Sequence, residues 1–114
     1  MPKKTVRTSQ QQGTLDKKSD LCKIFVENVR SFPEVRKILL SRLGDSARLW
    51  TVIEAPPFEQ SIRNRIYAEQ LKVLSMTELP VLDFRVVNLN EYDTEERELI
   101  VPENAQVLYV RTAF

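Results

Sequence analysis

The sequence contains no histidine. That removes the usual general base at neutral pH, the commonest transition-metal ligand and any Ser-His or Cys-His nucleophilic pair, so most hydrolase templates fail at once. Lysine, tyrosine and carboxylates remain as acid–base groups; the balance leans away from an enzyme without closing that class. The single cysteine, Cys22, permits neither an internal disulfide nor a cysteine cluster for zinc or iron–sulfur, and suits a reducing compartment. Beside an apolar helical stripe it is expected to act as a small hydrophobe rather than a reactive thiol. Only two glycines occur, Gly13 and Gly44. Backbone cradles for phosphate need several at close spacing, so a Walker loop and a dinucleotide fingerprint are both absent. No run of about 18 apolar residues is present to form a membrane span. Met1 to Gly13 is polar and lacks the apolar centre of a secretory signal. The expectation is a soluble chain, in the cytoplasm by default, with no cofactor and no membrane contact.

What is present suits one ordinary domain. A chain of 114 residues, 42% of them hydrophobic, can bury a sufficient core without a disulfide or a structural metal. Its net charge of +1 points to no partner class, but the charge is unevenly placed. Residues 1–20 carry five cations against two anions, a net of +3, while residues 90–103 carry six carboxylates against Arg97, a net of −5. Residues 1–13 predict a flexible basic tail and residues 14–114 a single domain. Arg63 and Arg65, with Lys3, Lys4 and Arg7 in the tail, could touch phosphates. Without the tail's +3, however, the chain is acidic on balance, which argues against nucleic acid as a partner.

The apolar spacing predicts the elements. Leu21, Ile24, Phe25 and Val29 form one face of a first helix. Ser31-Phe32-Pro33-Glu34 has the form of a capping box, and Val35, Ile38, Leu39 and Leu43 continue at helical spacing to Gly44, predicting a second helix with a glycine stop. Leu49 to Ile53 predicts a strand, closed by Pro56-Pro57. Phe58, Ile62, Ile66, Val73 and Met76 make the apolar stripe of a third helix over 58–76, while Tyr67, Leu71 and Leu74 form a second cluster, an expected interaction surface. Val81 to Leu89 alternates as a strand in which Asp83 and Arg85 point the same way. Asp93 and Glu96 predict a second capping box on a short acidic helix ending near Ile100, and Val107 to Val110 predicts a last strand. The expected fold is α/β, with α+β as the alternative: a three-stranded, at least partly parallel sheet with two to three helices packed on it. The placement of the last strand stays open. Three strands leave two edges, which invites self-association or a protein partner.

Open α/β sheets bind ligands beyond the carboxyl ends of their strands, and that rim would gather Glu54, Asn88, Asn90 and Arg111 as candidate ligand-binding residues. Trp50 and Tyr67 are rings that could stack on a ligand, although core or interface places suit them better. Leu79-Pro80-Val81-Leu82-Asp83-Phe84-Arg85, followed by Val107-Leu108-Tyr109-Val110-Arg111, resembles the last strands of small nucleotidyltransferase-fold domains. In that family a strand aspartate completes a metal site. The family's Gly-Ser turn and paired aspartates have no counterpart in Leu49 to Glu54, so the resemblance assigns Asp83 no catalytic role and supports the layered architecture. The leading expectation is therefore a non-enzymatic interaction or regulatory domain. The rival is a nucleotide-handling or degenerate nucleotidyltransferase-like domain using a divalent metal near Glu54 and Asp83.

Overall fold

The computed structural model describes residues 20–44, 46–76, 82–97 and 100–112. The expected tail at 1–13, Val81 at the start of the second expected strand, and residues 113–114 lie outside them. The described elements are a helix α1 (20–29), strands β1 (Val35–Leu43) and β2 (Ser46–Ile53), helix α2 (Gln60–Leu74), strand β3 (Leu82–Asn88), a 3-10 turn (Leu89–Glu91), a short helix α3 (Thr94–Arg97) and strand β4 (Gln106–Val110). They build a mixed α/β fold around a sheet of four strands, not three, in the order β3-β2-β1-β4. β2 and β3 are parallel, as expected of a strand–helix–strand unit. β1 is antiparallel to β2 and to β4, so the last strand pairs with the element that was expected to be a helix.

That expected second helix is the central strand β1, and a bulge explains the misleading spacing. Val35 pairs with Ile53 and Lys37 with Val52, so β1 carries one extra residue there. A bulge shifts side-chain parity, which puts Val35 and Ile38, three apart, on one face; both are fully buried. Leu39 is buried on the opposite face and Leu40 again on the first. A strand covered on both faces, with a bulge at its start, thus imitates the apolar spacing of a helix. The Ser31–Glu34 stretch is the turn out of α1, where Phe32 N–H donates to Val29 O (3.0 Å) and Val35 N–H to Phe32 O (3.0 Å). Gly44 does take a positive φ, 59°, but it closes the tight hairpin between the paired Leu43 and Ser46.

Both long helices pack on one face of the sheet. Leu21, Phe25 and Val29 of α1 and Ile62, Ile66 and Val73 of α2 share a core with the sheet. Each such buried side chain contributes about 1.5–3 kcal/mol. The ends of the expected stripe fall away: Phe58 and Met76 lie outside α2 and are 78% and 47% exposed. Cys22 is buried in the same core. On the other face Leu39, Val52 and Val87 are buried as well. β4 runs parallel to β3 at the opposite edge of the sheet, and the right-handed crossover rule directs the connection between them over this second face. Glu96 Oε1 accepts from Asp93 N–H (3.2 Å) at the start of α3, as the expected capping box requires. No helix among the described residues is long and apolar enough to cross a membrane.

Thr51, on the helix side of β2, is fully buried, and its hydroxyl has no hydrogen-bond partner among the described residues. Thr51→Val keeps the β-branch and removes the unpaired group, so it should raise the unfolding free energy by about 1 kcal/mol, read as a higher urea midpoint. A lower midpoint would mean that the hydroxyl is satisfied.

Candidate functional site

The parallel strands β2 and β3 stop side by side, with Ile53 paired to Asn88. β2 leaves the sheet through Ala55-Pro56-Pro57-Phe58, and the two prolines have no N–H to continue a ladder. Asn88 replaces it. Its side chain is fully buried, and Oδ1 accepts from Ala55 N–H (3.2 Å) and Asn90 N–H (3.2 Å). Nδ2 donates to Ala55 O (3.1 Å) and Pro56 O (3.3 Å). Asn90 Nδ2 adds a second bond to Ala55 O (2.9 Å).

The exit then turns. Glu59 N–H donates to Pro56 O (3.1 Å), closing a four-residue turn with Pro57 and Phe58 at its centre. Phe58 has φ 61°, in the region that type II turns reserve for glycine or asparagine at this position. Holding a bulky residue there costs about 1–3 kcal/mol. Glu91 opposes that cost, because its Oε2 accepts from Phe58 N–H (2.8 Å) while its Oε1 accepts from Arg63 Nη2 (2.8 Å). The bond from Phe58 N–H holds the Glu91 carboxyl below the usual carboxylate range, with Arg63 and Asn88 reinforcing it against the opposing effect of burial. Burial works against the Arg63 charge, but its bonds to Glu91 and Tyr67 outweigh that and raise its pKa. The result is a backbone held by its own hydrogen bonds at Phe58, with the ring 78% exposed to solvent.

The four expected ligand residues all lie at this end of the sheet but do not converge. Asn88 and Asn90 form the clamp. Glu54 faces Arg36 at 3.7 Å. Arg111, beyond the far edge strand, donates to the carbonyls of Val35 (2.9 Å), Arg30 (2.6 Å) and Phe32 (3.0 Å), stapling the α1–β1 turn. Asn88 ends one edge strand and Arg111 follows the opposite one, and those strands lie roughly 14 Å apart at the usual inter-strand spacing. Their polar groups serve the fold. Of the expected interaction surface, Tyr67 and Leu71 are exposed and Leu74 is half-buried. Trp50 donates to Ser41 Oγ (3.0 Å) under the Arg48 guanidinium.

The residues proposed for a divalent metal are not brought together. Asp83 pairs in register with Arg48, and Glu54 lies six residues further along that strand, on the order of 20 Å away. Asp83 Oδ2 is held by Arg48 (2.7 Å) and Arg85 (3.4 Å), the latter being the ion pair expected from their common face. Among the described residues no group of three His, Cys, Asp or Glu side chains could hold a metal ion. No protein-family profile, curated protein or solved structure matches the chain.

Phe58, Glu91 and Arg63 are the rim residues that sequence reasoning missed. The available signal was Pro56-Pro57 itself: a proline at the second position marks a type I or type II turn, and the type II form puts the next residue where glycine belongs. Because its folded-state pKa is depressed, Glu91 contributes stability that is complete above its ordinary value of 4.5 and is lost as pH falls through the folded value. Glu91→Gln should therefore be less stable than wild type at neutral pH, with the gap closing in acid below pH 4.5. A gap independent of pH would contradict the bonding described.

Proposed function

We propose that this chain is a non-catalytic interaction domain of the cytoplasm that presents Phe58 to a protein partner. The observation that carries this reading is the combination at Phe58 of positive φ with 78% exposure. An exposed ring gains nothing from the core, and the backbone prefers glycine there, so neither packing nor conformational preference accounts for a phenylalanine. Fixed aromatics at the centre of a patch supply much of the energy of protein–protein contacts. The chain at this turn is acidic in sequence, with Glu59 next to Phe58 and with Glu91, which binds the Phe58 amide, followed by Asp93, Glu95 and Glu96. The partner this suits is a protein with an apolar pocket rimmed by lysine or arginine. A reducing compartment agrees with a single, buried cysteine.

Phe58→Gly separates structure from recognition. It removes the ring and relieves the turn, so the variant should unfold within about 1 kcal/mol of wild type or above it. The same variant, tagged in the cells that make the protein, should lose a partner that the wild type retains. Marked destabilisation would make the ring structural, and an unchanged set of retained proteins would contradict the proposal.

A further inference from the structure

We infer that two copies of this chain associate through the outer edge of β3, joining their sheets antiparallel with Phe84 on the two-fold axis and the flank of α2 bearing Tyr67 and Leu71 packed above it. β3 ends the sheet, and its outer side has no partner strand among the described residues. Apart from the Val86 carbonyl, which Arg63 reaches (3.4 Å), such an edge is a template for another strand.

The helix layer above that edge is prepared in the same way. At about 100° per residue, Arg63, Tyr67, Leu71 and Leu74 share one flank of α2. That flank overhangs β3, because Arg63 Nη1 reaches Val86 O (3.4 Å), whereas the opposite flank faces α1's exit turn, where Arg65 stacks on Phe32 at 4.3 Å. Tyr67 is 42% and Leu71 67% exposed, an apolar flank left uncovered beside an uncovered edge.

Spacing lets both layers close together. Strands lie about 4.8 Å apart, so a helix over the β2–β3 gap and its two-fold mate stand two spacings, roughly 10 Å, from each other. Helices pack at about 8–10 Å. Along the strand, moving from Val86 back to Phe84 covers about 6.6 Å, or between four and five residues of the antiparallel helix, which leads from Arg63 to Tyr67. Phe84 below and Tyr67 above therefore meet the same axis.

Charge selects the register. Side chains keep to their own face only if paired positions have the same parity, so one residue of β3 meets its own copy on the axis, and among Asp83, Phe84 and Arg85 the charges decide which. Centring on Asp83 or Arg85 sets like charges opposite each other. Centring on Phe84 puts Asp83 opposite Arg85 of the second copy and Leu82 opposite Val86, so the edge is complementary to itself. Asp83 and Arg85 have side chains 47% and 55% exposed and can make that contact.

This inference does not depend on Phe58. Light scattering on the full chain at about 100 µM, well above a micromolar dissociation constant, should give twice the monomer mass. Leu71→Lys, at an exposed site, should return the mass to that of one chain with an unchanged circular dichroism spectrum. Arg85→Glu, which sets two acids against each other, should weaken association at least tenfold. Phe58→Gly should leave it intact. A wild-type monomer at that concentration, or a dimer that survives both Leu71→Lys and Arg85→Glu, would overturn the inference.

Discussion

The buried side chain of Asn88 stands where two parallel strands end, and the rim of the molecule is organised by it. Ala55 must leave the sheet into two prolines that offer no hydrogen-bond donor, yet it is itself buried. Without the amide of Asn88 the N–H of Ala55 would go unpaired there, and an unpaired buried group costs about 1–3 kcal/mol. The bonds from Asn88 fix where the Pro-Pro turn begins. The turn fixes Phe58, and the chain beyond Asn88 brings Glu91 back to bind the Phe58 amide.

Arg63 joins this rim to the rest of the layer. One of its nitrogens is on Glu91 and another on the backbone of Val86, so the helix that covers the parallel strands is tied both to the turn and to the sheet edge. The polar groups in the usual ligand position of an α/β sheet are therefore engaged by the chain's own backbone and by each other. Large hydrophobic side chains face outward as well: Phe58 and Tyr92 at this end of the molecule, Tyr67 and Leu71 along the helix.

Much of this was legible in residue order. Ile62, Ile66 and Val73 announce a helix, the alternation from Leu82 to Val86 announces a strand, and their linkage through Leu49 to Ile53 implies a parallel pair. β1 was not legible, because an extra residue near Arg36 and burial of both faces place apolar residues at helical intervals, and periodicity alone cannot separate the two. The residues named for the rim do share one end of the sheet, but Asn88, Asn90 and Arg111 are bonded to backbone, which depends on where distant segments end. Phe58 looked like the first rung of the helix stripe because its identity fits that face. Its positive φ in the turn after the prolines, with its N–H bonded to Glu91, places it outside the helix instead.

The central claim is that a buried amide and a carboxylate hold the Pro-Pro turn rigid around an exposed ring. Amide hydrogen exchange tests it residue by residue: the N–H groups of Ala55 and Phe58, in a loop at the surface, should exchange as slowly as those of β2. Exchange at the rate of an unstructured peptide at both positions, with β2 still protected, would contradict the account.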